Sequence, residues 1–287
     1  MITKHAKAKI NLTLDILGKR DDGYHEVEMI MQSIDLADIV TLEEADDIIV
    51  ETDLAELADD RTNLAYRAAD LLRDTYGVKR GAHIRIEKKI PLAAGLAGGS
   101  SDAATVLLGL NELWGLGLDM DELTALGARL GSDVPFCMIG GTMLATGRGE
   151  VLAKVPSLGA YPLVLVKPPL GVSTAAAYGG YRAENVKMHP TCDRMTDAIA
   201  SGDITRVYEA MGNVLETVTI PLRPEIAEIK QALIDAGVDK AMMSGSGPTV
   251  FAFVKTAEDG ERIADIMRTK YSTYTICTTA TCQGEEL

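Results

Sequence analysis

Along residues 7–17 apolar and polar positions alternate. Ala8, Ile10, Leu12, Leu14 and Ile16 fall on one side; Lys7, Lys9, Asn11, Thr13 and Asp15 fall on the other. That is the two-residue period of a half-buried strand, and it aims Lys9 and Asn11 the same way. A charged turn at 18–23 leads to extended, apolar segments at 27–36, 39–43, 48–51 and 83–87, all read as strands. Leu64, Ala68, Leu71 and Leu72 share one helical face, and Gly77 is placed to stop that helix. From Pro91 the chain runs Pro91-Leu92-Ala93-Ala94-Gly95-Leu96-Ala97-Gly98-Gly99-Ser100-Ser101-Asp102, then becomes rich in Ala and Leu to Trp114. This predicts a loop followed by a helix starting at Ser100 or Ser101. Asp119 and Glu122 have capping-box spacing for a helix ending near Gly131. Pro and Gly become frequent over 155–163, where a boundary is expected between domains 1–155 and 156–287.

The second half predicts a strand at 163–167, a turn-rich loop with two short helices, and a helix over 224–236. Strands at 241–244 and 250–254 flank Gly245-Ser246-Gly247-Pro248, and a helix at 257–268 and a strand at 273–281 follow. Strands and helices mix without regular βαβ alternation, so the expected class is α+β.

Composition narrows what such a chain can do. A length of 287 residues suits two cores, and 47% hydrophobic with 24% charged residues is ordinary for a globular protein. The net charge of −14 argues against a nucleic-acid or anionic-membrane surface, which needs a basic field. An anionic small substrate would require a local group of cations or backbone N–H donors. Cys137, Cys192, Cys277 and Cys282 show no C-x-x-C spacing and read as reduced, mostly buried thiols. No apolar run reaches the roughly 18–20 residues of a membrane span. The charged residues 1–9 do not resemble a secretory signal, so the expected location is cytoplasmic.

The glycine-rich segment is the strongest chemical signal. Glycines let backbone N–H groups approach an anion, and a helix start adds its positive dipole end. The segment is neither a G-x-x-x-x-G-K-[ST] loop nor a G-x-G-x-x-G turn, and a plain helix leader is the alternative. Asp133, before Val134-Pro135, is a candidate general base or a helix cap. Lys9 is a candidate charge-neutralising group or an ordinary solvated lysine.

Residues 91–104 resemble the phosphate loop of the GHMP kinases, the family of galactokinase, homoserine kinase and mevalonate kinase. Ala6-Lys7-Ala8-Lys9-Ile10-Asn11-Leu12, Arg20-Asp21-Asp22-Gly23-Tyr24-His25, Gly131-Ser132-Asp133-Val134-Pro135-Phe136 and Ser244-Gly245-Ser246-Gly247-Pro248-Thr249 extend the resemblance over residues 6–253. The Gly-Tyr-His and Gly-Ser-Asp-Val-Pro elements narrow it to the branch that phosphorylates the 2-hydroxyl of 4-diphosphocytidyl-2-C-methyl-D-erythritol in the non-mevalonate isoprenoid route.

The resemblance implies a two-domain α+β fold, with a ribosomal-S5-like ATP domain and a ferredoxin-like C-terminal sandwich. It implies ATP, with Mg2+ carried by the nucleotide, and a small-molecule partner bearing a cytidine diphosphate moiety. Lys9 and Asp133 take the catalytic positions. Tyr24, His25 and Tyr178 take those that recognise cytosine, with Asn11 and Thr174 on the diphosphate or polyol. Tyr178 stands where relatives often have Phe after a Thr-Pro step that this chain lacks. Asn63, Leu64 and Lys88 match positions near the adenine, and Gly95, Gly98, Gly99, Ser100 and Ser101 those around the phosphates. Two rivals remain at this point: a GHMP kinase for a different acceptor, and an inactive ligand-sensing member.

Overall fold

The computed structural model describes residues 1–54, 57 and 61–284. Its contacts divide the chain into two compact units, each assembled from three stretches. The first is Met1–Ala8, Leu36–Ile90 and Ala97–Gly140; the second is Lys9–Asp35, Pro91–Leu96 and Gly141–Leu287. The expected break at 155–163 falls inside the second unit. Strands β1 (Ile2–Lys19) and β2 (His25–Ala45) contribute residues to both units. β2 is one continuous strand where two segments, 27–36 and 39–43, were expected.

In the first unit the C-terminal part of β2 pairs antiparallel with β4 (Gly81–Glu87), which pairs parallel with β3 (Ile48–Thr52). Among the described residues four helices complete it: α1 (Leu64–Tyr76), α2 (Gly98–Trp114), α3 (Met120–Leu130) and α4 (Val134–Ile139). The core joins Val40, Leu42, Ile84 and Ile86 of the strands to Ala68, Leu72, Val106, Leu110 and Trp114 of the helices. Gly77 ends α1 at φ 64°, as its position in the sequence predicts. The capping box on α3 is present in both directions, Asp119 accepting from the Glu122 N–H and Glu122 from the Asp119 N–H. α2 starts at Gly98, two residues before the earliest expected start, because Ala97 turns into it with φ 60°. A left-handed alanine is rare enough that sequence alone favours a later start.

In the second unit β1 turns through residues 20–24 into β2 beside it, and β2 pairs with β5 (Thr142–Thr146), which pairs with β6 (Val151–Lys154). A four-stranded antiparallel sheet is built from β7 (Pro162–Lys167), β9 (Ala241–Met243), β10 (Val250–Phe253) and β11 (Thr275–Ala280), in the order β11-β7-β10-β9. Helices α9 (Glu225–Asp235) and α10 (Ala257–Lys270) pack on it through Ile226, Ile229, Leu233, Ile263 and Met267. Taken as strand-helix-strand-strand-helix-strand, this is the ferredoxin-like arrangement.

The stretch expected to carry two short helices carries four. They are α5 (Thr174–Gly180), α6 (Cys192–Ala200), α7 (Ile204–Ala210) and α8 (Glu216–Leu222), with a 3₁₀ turn at Ala183–Asn185. Between α7 and α8, β8 (Gly212–Asn213) pairs parallel with β1. Strands β5, β6 and β8 and helix α4 are short and lack a readable period. None of the four cysteines is in a disulfide, but only Cys192 is buried; the others are half-buried.

The polar side of β1 departs most from its pattern. It is not solvated: Lys9, Asn11, Thr13 and Asp15 are between 0% and 6% exposed. Alternation reports which residues share a face, and says nothing about what covers it.

Candidate active site

In the first unit the starts of two helices lie together. Asn63 caps α1, its Oδ1 accepting from the Ala65 N–H at 2.9 Å. A Cβ built on Gly99 would lie 3.5 Å from Leu64 Cδ1, so the first residue of α1 touches the first turn of α2. That turn is Gly98, Gly99, Ser100 and Ser101, and its leading N–H groups have no intrahelical acceptor. Ser101 spends its hydroxyl on the Lys7 carbonyl at 2.6 Å, leaving Ser100 as the hydroxyl at the opening of the helix. A Cβ on Gly131 would stand 3.8 Å from Ser100 Oγ, which brings the Gly131-Ser132-Asp133 segment beside this turn. Asp133 occupies the N-cap position of α4, yet its side chain makes no capping hydrogen bond. The cap alternative therefore loses its structural basis.

Lys88, expected near the adenine, has its ammonium buried between Asp38 and Asp102, at 2.5 and 2.6 Å. Burial pulls its pKa down, and the charges of Asp102 and Asp38 more than reverse that, so it stays protonated.

In the second unit Lys9 and Asn11 form one group. Lys9 Nζ donates to Asn11 Oδ1 at 2.7 Å, and Asn11 Nδ2 lies 3.1 Å from Met29 Sδ. The Lys9 N–H donates to the Leu96 carbonyl at 3.1 Å, tying β1 to the glycine-rich segment. Gly95 is gripped by the turn after β9. Ser244 Oγ donates to its carbonyl at 3.0 Å, and a Cβ at Gly95 would stand 2.2 Å from the Ser244 carbonyl oxygen. A Cβ on Gly245 would be 3.4 Å from Asn11 Oδ1 and 3.6 Å from Lys9 Nζ. Thr174 and Ser246 share a hydroxyl–hydroxyl bond of 3.1 Å, which joins the start of α5 to the same turn. Three separate sequence motifs thus converge around Lys9, and the start of α5 reaches the same turn.

The aromatic residues make a second cluster in this unit. The Tyr178 ring lies 5.6 Å from that of His25, tilted by 35°, and Tyr181 meets His25 edge-on at 6.4 Å. Burial, then the nearby Lys19 charge, lowers the His25 pKa, so the imidazole is neutral at pH 7 and offers one donor and one acceptor. Tyr24 is 54% exposed, with the Arg148 guanidinium 4.8 Å from its ring centre. The missing proline before Tyr178 does not prevent α5 from forming. Ser173 caps it, accepting from the Ala176 N–H, and Ala175, Ala176 and Ala177 are strong helix formers. Sequence reasoning missed Tyr181, Arg148, Ser246, Asp38 and Asp102. Only Ser246 and Asp102, each inside a quoted motif, carried a usable signal.

Residues 63–141 match the family described as GHMP kinases N terminal domain, and 195–273 match GHMP kinases C terminal. The chain is 51% identical over 269 residues to a 4-diphosphocytidyl-2-C-methyl-D-erythritol kinase of Brevibacillus brevis, covering 93% of this chain and 92% of that one.

The chain belongs to the GHMP kinases.

An enzyme of the same description from Bacillus cereus is 54% identical over 251 residues, covering 87% of this chain and 86% of its own. A crystal structure of 4-(cytidine 5'-diphospho)-2C-methyl-D-erythritol kinase superposes with a TM-score of 0.84 at 33% identity, covering 99% of this chain and 100% of that one. Homoserine kinase from Cytophaga hutchinsonii shares the fold, with a TM-score of 0.77 at 20% identity over 99% of this chain and 95% of that one. As a GHMP kinase the chain uses ATP as a substrate. For the metal such kinases imply, the described residues contain no group of three or more His, Cys, Asp or Glu side chains able to hold an ion. Asp38 and Asp102 are engaged with Lys88, so they form no open carboxylate cage. Among the described residues no helix is long and apolar enough to cross a membrane.

Proposed function

We propose that this GHMP kinase transfers the γ-phosphate of ATP to the 2-hydroxyl of 4-diphosphocytidyl-2-C-methyl-D-erythritol, a step of the non-mevalonate route to isoprenoid precursors. The observation that carries the reading is the 51% identity over 93% of the chain to an enzyme of that name. The local geometry supports it. Phosphoryl transfer asks for positioned phosphates, neutralised charge and an acceptor for the hydroxyl proton. The opening turn of α2 supplies N–H donors to the phosphates, with Gly95, Gly98, Gly99, Ser100 and Ser101 shaping the loop and Asn63 and Leu64 beside it. Asp133 takes the proton of the attacking hydroxyl. Lys9, held by Asn11, places an ammonium against charge developing on the transferred group. Mg2+ carried by the nucleotide would offset the charge of its phosphates. On the acceptor side Tyr24 and Tyr178 offer ring faces to a cytosine, His25 reads its edge, and Thr174 approaches the diphosphate. The family matches fall on either side of 155–163, which supports domains 1–155 and 156–287. The net charge of −14 supports a reading without a nucleic-acid partner; the small anionic acceptor is met by local cations and backbone N–H donors, and the proposed location is cytoplasmic.

The test is ADP release with a panel of acceptors. Turnover is expected with the diphosphocytidyl compound and not with homoserine, mevalonate or methylerythritol phosphate. Tyr24→Ala should raise the acceptor KM roughly 5- to 150-fold, the worth of one base–aromatic stack, and leave the ATP KM unchanged. Phosphorylation of homoserine or mevalonate in place of the diphosphocytidyl acceptor would overturn the assignment.

A further inference from the structure

Asp38, Lys88 and Asp102 lie together in the first unit, their side chains 0%, 2% and 7% exposed. Lys88 Nζ donates to Asp38 Oδ2 at 2.5 Å and to Asp102 Oδ2 at 2.6 Å. Asp38 Oδ1 accepts the backbone N–H groups of Lys89 and Ile90 at 2.5 and 2.8 Å, fixing the chain as it leaves β4 toward the glycine-rich segment. Asp102 stands one turn into α2. A Cβ on Gly98 would meet Ile90 Cγ2 at 3.0 Å and Lys88 Nζ at 3.6 Å, so the trio bears directly on the turn that opens the helix. One polar atom is left over: Asp102 Oδ1 is buried without a hydrogen-bond partner. A buried carboxylate oxygen in that condition is costly while it carries charge. With both acids ionised, the trio holds two negative charges against one positive, at the place where a nucleotide brings more negative charge.

We infer that Asp38, Lys88 and Asp102 are positioning residues for the nucleotide, and that Asp102 takes up a proton from solvent when the phosphates dock at the first turn of α2. The inference rests on reading that turn as the phosphate cradle. The proton converts the Asp102 carboxylate to a carboxylic acid, leaving Lys88 and Asp38 as a neutral pair. The charged groups acting on Asp102 are Lys88 and Asp38. Burial above all raises its pKa, Lys88 pulls it down and Asp38 pushes it up; together they bring it to about 7, so both forms exist near neutrality. Docked phosphates repel the ionised form and draw the proton in.

Calorimetric titration of the whole protein with Mg2+ and a non-hydrolysable ATP analogue, in buffers of different ionisation enthalpy, tests this. A tenfold rise in the proton affinity of Asp102 on binding gives uptake of about half a proton at pH 7.5, and about fivefold weaker binding at pH 8 than at pH 6. Asp102→Asn and Asp102→Ser should both lose the uptake and flatten the pH dependence. The ATP KM should change in these variants while the acceptor KM stays fixed. Folded variants whose buffer-dependent enthalpy and pH profile equal those of the parent would overturn the inference. A parent protein that binds nucleotide without proton uptake would do the same. Absence of nucleotide binding by the parent would instead remove the phosphate-cradle reading itself.

Discussion

At the scale of single residues, the proposal is most exposed at Asp133. Its side chain sits at a helix start and makes no capping bond, so replacing it should not cost α4 its cap. Asp133→Asn is therefore expected to keep its melting temperature and nucleotide affinity, while turnover falls by about 10²–10⁴, the worth of a positioned general base. Steady-state kinetics beside a thermal melt check this; full turnover in a folded variant would remove Asp133 from the mechanism. Lys9 and Asn11 were readable as a pair because a strand's period puts them on one face. Their burial was not readable, because the turn around Gly245 that lies against them comes from more than 200 residues along the chain. Lys88 shows the reverse case. Its motif position was visible, but the carboxylates that claim its ammonium come from β2 and α2, and no local pattern joins them.

Among the elements, α2 and the segment before it decide how the phosphate turn is held. Positive φ in that segment occurs at Gly95 and also at Ala93 and Ala97, at 75°, 48° and 60°. A left-handed alanine costs roughly 1–2 kcal/mol, and glycine at the same place loses part of that gain to chain entropy. Ala97→Gly is therefore expected to stabilise the protein by up to about 1 kcal/mol in urea titration. Gly95→Ala should do the opposite, losing about 2–4 kcal/mol. It adds a Cβ 2.2 Å from the Ser244 carbonyl oxygen at φ 75°. If both variants matched the parent, the described path of this loop would be wrong. Helices with strong local signals, α1 and α3, were predicted to within a residue or two at their ends. The stretch holding α5 to α8 was read as a loop with two short helices, because each of the four is short and shares its signals with the turns between them.

Over the whole molecule, stability depends on side chains that bind remote stretches of backbone. Asn213 is the clearest. Its amide donates to the Met243 and Gly245 carbonyls at 2.9 and 2.8 Å and accepts from the Leu215 N–H at 3.0 Å. It is 7% exposed, so Asn213→Ala strands three buried backbone groups and should cost about 2–4 kcal/mol in chemical denaturation. A loss under about 0.5 kcal/mol would mean that water replaces the amide. The sequence offered no hint of this role, since one asparagine after a glycine reads as a turn. What the sequence determined by itself was the class of fold, most strands and the long helices, the glycine-rich anion loop, and the residues whose spacing matches the family. These follow from periodicity, capping and backbone freedom, which act over a few residues. Tertiary structure alone decided which polar faces are buried, where Ala97 starts α2, that Lys88 lies between two carboxylates, and that Tyr178 packs on His25. Those outcomes depend on which distant segments meet, and the free energy of such contacts has no local signature along the chain.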